Sequence, residues 1–297
     1  MAAIVLDIGG TAIKSGLYEN ETLSEIREAA TEAAGGGAHV VNRAKDIIAS
    51  YRGICAFDRI GISTAGQVNP AEGTIIYANE NIPGYTGTRL KDILEQEFQV
   101  PVDVENDVNA AAIGEASFGA GKNRSDFVCL TYGTGIGGAL FANGKLYSGS
   151  SYSAGEFGAI IVHPEDRDAS RDIFSGCYER YASTTALAAS ARKLDPAFSN
   201  GRIIFEHLAE PEVQKVIDAW IMEIVYGLIT IIHIANPSCA ILGGGVMEQP
   251  YVLQQVKEKL YQNIMPSFGH VEIKKAELGN RAGMLGAAVL NSYHSRQ

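Results

Sequence analysis

Residues 3–18 read AIVLDIGGTAIKSGLY: an apolar run from Ala3 to Asp7, a Gly9-Gly10-Thr11 turn, and a second run from Ala12 to Tyr18 that ends on the polar pair Glu19-Asn20. Two short runs around a glycine turn are the pattern of a β-hairpin. The same grammar returns at residues 127–141, FVCLTYGTGIGGALF, with Gly133-Thr134-Gly135 as the turn and Asn143-Gly144 closing it. Two hairpins of like construction predict two copies of one architectural unit facing each other across a cleft.

Working outward, the chain alternates helical and strand patterns. Helices are predicted near His39 to Tyr51, Thr88 to Phe98, Asn109 to Phe118, Thr184 to Lys193, Pro211 to Ala235 and Ala282 to Tyr293. Strands are predicted at Arg59 to Ser63, Val102 to Glu105 and Ala240 to Leu242. The fold class is therefore α/β. At 297 residues there is room for two medium domains, taking roughly 100 to 200 residues for each. A first lobe is expected over residues 1–117 plus 284–297 and a second over 118–283, with Gly119-Ala120-Gly121 as a candidate hinge.

Composition excludes more than it selects. A 46% apolar and 20% charged chain is that of an ordinary globular protein. The formal charge of −10, with no cluster of Lys or Arg, argues against a nucleic-acid or anionic-membrane partner. Cys55, Cys129, Cys177 and Cys239 lack paired spacing and read as reduced core thiols. The start, MAAIVLDIGG, has no basic region ahead of its apolar run, so no signal peptide is expected and a cytoplasmic location is. The apolar stretch Ala219 to Ala235 carries Glu223 and His233 and reads as a buried helix, not a membrane span.

The first turn places the carboxylate of Asp7 at a strand end, then Gly9 and Gly10, then Thr11 and Lys14. Bare backbone amides and an ammonium suit phosphate groups, and Asp7 is placed to reach their Mg²⁺ through water. This is not a Walker loop, which would open a helix and end in GK[ST]. Gly133, Thr134 and Gly135 form a second such turn, and Gly243, Gly244 and Gly245 a third, directly after a strand and expected to open onto a helix. Three glycine turns, each after a strand, point to a nucleotide such as ATP.

Asp107, in VENDVN at 104–109, falls where a strand meets a helix, and the helix N-terminus is expected to keep it ionised. There it suits a general base that accepts the proton of an attacking hydroxyl, with Asn106 fixing that hydroxyl's direction. A simpler role as a helix N-cap is open to Asp107 and Asn109 alike. Glu156 in GEFG and Glu179 in GCYE are carboxylates beside glycines, suited to sugar hydroxyls. Thr64 in STAG and the loop Asn79 to Tyr85, with Asn81, offer further polar groups for a carbohydrate pocket.

Together, DIGGT, STAGQV, NIPGY, ENDVNAAAIGE, TYGTGIGG, GEFG, GCYE and LGGGV, running in that order from Asp7 to about Gly286, resemble the ROK family of sugar kinases and repressors. The resemblance implies a two-lobed actin-like ATPase, or hexokinase-type, fold of the ribonuclease H-like class. It implies Asp107 as the base for the sugar's 6-hydroxyl, with in-line transfer of the γ-phosphoryl group. Asn81, Asn106, Glu156 and Glu179 would hold the sugar. Gly10, Thr11, Lys14, Thr134, Gly135, Gly244 and Gly245 would surround MgATP, and a homodimer is usual among relatives.

One departure stands out. Most members have a histidine where this chain has Ala159, and a CxCGxxGCxE run where this chain has RDIFSGCYE, so the family's structural zinc is not expected. One thiol, Cys177, with His163 nearby is too few ligands for a tetrahedral site. Since that histidine also touches the sugar near its anomeric side, Ala159 implies a roomier pocket and a β-glucoside such as cellobiose as acceptor, with N-acetylmannosamine or glucose as the alternative. The family's repressors carry an added helix-turn-helix segment ahead of the first glycine motif, which here begins at Asp7. A sugar-independent actin-like ATPase would need neither the Asn106-Asp107 pair nor the two glutamates.

Overall fold

The computed structural model describes residues 2–294, so Met1 and 295–297, which the sequence reading assigned to the first lobe, lie outside the described residues. The chain runs through β1 (Ala3–Ile8), β2 (Ala12–Glu19), β3 (Thr22–Ala30), α1 (Gly37–Tyr51), β4 (Arg59–Thr64), β5 (Gln67–Asn69) and β6 (Thr74–Tyr77). It continues with α2 (Leu90–Phe98), β7 (Val102–Asn106), α3 (Asp107–Phe118), β8 (Phe127–Tyr132), β9 (Ile136–Ala142) and β10 (Lys145–Leu146). The remainder is α4 (Glu179–Ala182), α5 (Thr184–Ala191), α6 (Gly201–Glu206), α7 (Pro211–Ala235), β11 (Cys239–Gly243), α8 (Pro250–Asn263), β12 (Glu272–Lys275) and α9 (Ala282–His294).

Among the described residues two compact units result: residues 2–123 with 148–153 and 278–294, and residues 124–147 with 154–277. These limits differ from the expected 117/118 and 283/284, and the segment 148–153 returns to the first unit, a crossing that no composition shift marks. Each unit holds a five-stranded sheet, ordered β3-β2-β1-β4-β7 in the first and β10-β9-β8-β11-β12 in the second. In both, a three-stranded antiparallel meander is extended by two parallel strands. The repeated hairpin grammar thus does mark two copies of one sheet.

In the first unit the side of β1 and β4 is closed by α9. Small residues make that approach possible: a Cβ on Gly61 would fall 2.1 Å from the carbonyl oxygen of Ala287, and one on Gly286 would fall 1.7 Å from that of Ala110. Ile4, Leu6, Ile60, Ile62, Val102 and Val104 fill the core beneath α1 and α2. The Gly119-Ala120-Gly121 segment is tied, not free. Gly119 and Gly121 donate to the carbonyl of Glu115, while Ala120 N and Leu278 N donate to its carboxylate at 2.8 and 2.9 Å.

The second unit is built around α7, which is long and apolar enough by length and composition to cross a membrane. Its Ile217, Trp220, Ile221, Ile224, Leu228 and Ile231 are instead buried in that unit's core. Trp220 Nε1 finds the carbonyls of Ala182 and Ser183, which satisfies the one polar atom of that side chain.

Candidate active site

Strand register brings the first unit's polar groups to one sheet edge. β1, β4 and β7 are parallel neighbours in which Asp7 pairs with Ser63, Ser63 with Glu105, and Thr64 with Asn106. All lie at the C-terminal ends of those strands, the edge on which open α/β sheets bind ligands. On the other side of β1, Asp7 is directly opposite Lys14 of β2. The Gly9-Gly10-Thr11 turn is held by Gly9 N on the carbonyl of Ala12, and by Thr31 Oγ1, which donates to the carbonyl of Gly9 at 2.6 Å.

Asp7 is shielded. Gly283 of α9 presses so close that a Cβ there would lie 2.8 Å from Asp7 Oδ1. Burial raises the Asp7 carboxyl above its ordinary range, opposed by the Ser63 hydrogen bond and the Lys14 charge. Asp107 opens α3, and its Oδ1 accepts from Val108 N and Asn106 Nδ2, both at 2.9 Å. The helix cap itself is Asn106, whose Oδ1 accepts from Val108 N and Asn109 N. The helix end, expected to keep Asp107 ionised, is not the main influence on this carboxyl. Burial, then the negative charge of Asp7, push it up to about 6, and the hydrogen bonds only partly offset this. Behind it, burial pushes Glu105 up to about 7 while its Oε1 takes Asn106 N and Asn109 Nδ2.

Other expected residues stand elsewhere or act differently. The Asn106 amide, expected to steer an acceptor hydroxyl, is engaged within the unit: Nδ2 donates to the carbonyl of Gly66 as well as to Asp107, so the side chain fixes Asp107. Thr64, expected to touch the sugar, is fully buried, and its hydroxyl meets Tyr85 Oη at 2.9 Å. It anchors the loop that carries Asn81, which is exposed and whose backbone amide donates to Asn79 Oδ1. Ser63, expected only as part of the STAG loop, is set beside Asp7 by strand register, and the same register sets Glu105, the chain neighbour of Asn106, beside Ser63.

In the second unit the turns after neighbouring parallel strands β8 and β11 meet. Thr131 pairs with Gly243, and a Cβ on Gly244 would fall 2.1 Å from the carbonyl oxygen of Tyr132. The Gly243-Gly244-Gly245 turn opens not onto an α-helix but onto a single 3-10 turn, Gly245–Glu248, with α8 starting at Pro250. Glu179 begins α4, and its Oε2 lies where a Cβ on Gly135 would be 2.8 Å away. Burial raises the Glu179 carboxyl, and the charge of Glu156 raises it further. The second glycine turn, Glu156 and Glu179 are therefore one neighbourhood. His163, by contrast, is hydrogen-bonded to Glu165 and Glu223 at 2.9 and 2.8 Å, and Cys177 is buried. Among the described residues no group of three or more His, Cys, Asp or Glu is arranged to hold a metal.

A hard cation bound through phosphate oxygens and water needs fewer protein ligands than that. The first unit fits Mg²⁺ in this sense, because the charge of Asp7 raises the cost of ionising Asp107 and an added positive charge would offset it.

The family model described as "ROK family" matches residues 3–293. The chain is 32% identical over 309 residues to a beta-glucoside kinase of Listeria innocua, covering 100% of this chain and 98% of that one. It is 30% identical over 310 residues to a glucokinase of Thermotoga maritima, covering 96% and 95%. The solved structure of a ROK family glucokinase from Streptomyces griseus in complex with glucose and AMPPNP superposes with a TM-score of 0.83 at 30% identity, covering 98% and 99%.

Proposed function

The chain belongs to the ROK family and has its actin-like ATPase fold and ATP-dependent sugar kinase activity, and from that premise we propose that its acceptor is the 6-hydroxyl of a β-glucoside such as cellobiose. The observation that carries the catalytic half of this reading is Asp107: a carboxylate held by two hydrogen bonds at a helix start, beside Asp7, with its proton affinity raised to about 6. A base of that strength is ionised at neutral pH yet strong enough to accept a proton from a hydroxyl as it attacks.

Asp107 takes the hydroxyl proton while the sugar oxygen forms its bond to the γ-phosphorus and the bond from that phosphorus to the bridging oxygen of ADP breaks. Asn106 keeps Asp107 oriented through Nδ2. Lys14 and the open amides of Gly10 and Thr11 receive phosphate oxygens, and Asp7 would hold Mg²⁺, which when bound supplies positive charge against those oxygens. Gly133, Thr134 and Gly135, with Gly243 to Gly245, would take the rest of the nucleotide. Glu156, Glu179 and Asn81 would hold sugar hydroxyls.

The β-glucoside assignment rests on Ala159 and on the relative named a beta-glucoside kinase. Glucose is the second reading, favoured by the glucokinase name of the T. maritima relative. ADP release measured with MgATP and cellobiose, glucose or N-acetylmannosamine decides between them. Cellobiose is expected to give the highest kcat/KM; a monosaccharide ahead by tenfold ends the β-glucoside reading.

A further inference from the structure

Within the first unit, the β5–β6 hairpin and the returning segment 148–153 wall an open pocket of about 440 Å³. That volume lies in the range of roughly 300 to 1,000 Å³ usual for small-molecule sites. Ile76 and Tyr152 give it an apolar face, and Asn69, Glu72, Thr74 and Thr86 give it polar groups. Ile76 is 39% exposed, so its side chain is accessible from this pocket. Tyr152 keeps a bulky side chain at φ 60°, where glycine or asparagine would sit at less cost. The Thr74 hydroxyl is shielded from solvent and has no hydrogen-bond partner in the protein. An apolar plate edged by hydroxyl, amide and carboxylate groups is complementary to a sugar ring, whose C–H face is apolar and whose rim is hydroxylated.

The walls are also joined to the candidate acceptor residues. The carbonyl of Gly66 accepts from Asn106 Nδ2 at 2.9 Å, and the next residue, Gln67, opens β5 and accepts from Ser153 Oγ at 3.0 Å. The loop bearing Asn81 leaves from the end of β6 and returns to the pocket at Thr86, whose Oγ1 closes it by accepting from Ala78 N at 2.9 Å.

The geometry points to a subsite for the second ring of the acceptor, the aglycone of a β-glucoside, on Tyr152 and Ile76. This rests on the β-glucoside reading given above. Wild type, Tyr152→Gly and Ile76→Ala are to be assayed with cellobiose and with glucose. Tyr152→Gly removes the ring at a position whose backbone suits glycine, so folding is retained. KM for cellobiose is expected to rise at least about tenfold in Tyr152→Gly and about threefold in Ile76→Ala, with KM for glucose moving less than twofold. Equal changes for both sugars, or none for either, overturn the subsite and leave the β-glucoside kinase standing. A wild type that phosphorylates glucose but not cellobiose overturns the acceptor reading, and the subsite with it.

Discussion

Ser63 and Asp7 occupy paired positions on adjacent parallel strands, and Ser63 Oγ donates a 2.6 Å hydrogen bond to Asp7 Oδ1. The bond fixes one carboxylate oxygen at the sheet edge and lowers the cost of keeping Asp7 ionised beneath α9. A hydrogen bond to a charged group is worth about 1.5 to 3 kcal/mol. Ser63→Ala is therefore expected to lower kcat/KM for MgATP by about tenfold or more, at a sugar KM changed by less than about threefold. Steady-state kinetics with each substrate varied in turn checks this; an unchanged kcat/KM for MgATP sinks the assignment of Asp7 to the phosphate side.

Asp107→Asn separates stability from activity. The folded protein raises the Asp107 carboxyl from 3.8 to about 6, so it binds that proton more tightly than the unfolded chain does. Stability from this group is present in acid and is lost as pH rises from about 4 through about 6, at a cost of at most about 3 kcal/mol above that. The neutral amide escapes that cost. The variant is expected to melt no lower than wild type at pH 7 while kcat falls at least about 10². A kcat within threefold of wild type removes Asp107 as the base.

The same group sets the acid limb of the reaction. Because the base form acts, kcat/KM for the sugar should fall about tenfold per pH unit below about 6 and level off above it. Ser63→Ala should move that limb far less than Asp107→Asn abolishes it. A limb centred near the ordinary carboxylate value of 3.8 would mean that bound Mg²⁺ or water offsets the burial of Asp107 during turnover.

Legibility divided along physical lines. Residues 3–18 and 127–141 were readable because each holds a whole hairpin within one local stretch, and α7 because it is a long apolar helix. β3 was not read: it is Glu-rich and largely exposed, and becomes a strand through pairing with β2, a partner that its own periodicity does not reveal. In the site, Asp107 was visible from its place between strand and helix. That Asn106 caps the helix and grips Asp107 is a matter of local bonds one to three residues away, whereas its tie to Gly66 and the inward turn of Thr64 to Tyr85 depend on residues far along the chain. The raised proton affinity of Asp107 comes first from burial and then from the charge of Asp7 on β1, and no local pattern encodes either.

Glu115 tests the chain passages out of and back into the first unit. Its carboxylate is 1% exposed and accepts from Ala120 N and Leu278 N. Glu115→Ala leaves both amides unpaired and opens a cavity, at about 1 to 3 kcal/mol for each unsatisfied group. Chemical denaturation should show a loss of about 2 to 6 kcal/mol, with Glu115→Gln losing less because its amide oxygen can still accept. An alanine variant as stable as wild type would show that these amides find other acceptors.

Gly10 and Gly244 distinguish a glycine required by a ligand from one required by the fold. Gly244 has φ 101°, and a Cβ there would fall 2.1 Å from the carbonyl oxygen of Tyr132, so Gly244→Ala forces the backbone apart and should destabilise the second unit by more than about 1 kcal/mol. At Gly10 nothing lies within 4 Å of the added Cβ and φ is not positive. The protein's own packing therefore gives no reason for glycine at that position, and reduced backbone freedom of the unfolded chain makes Gly10→Ala neutral or slightly stabilising. If phosphate oxygens lie against this turn, the methyl group occupies their space, and KM for MgATP should rise at least about tenfold while the melting temperature holds. A Gly10→Ala variant with unchanged stability and unchanged KM for MgATP would move the phosphates off the first turn and leave their binding to the turns after β8 and β11.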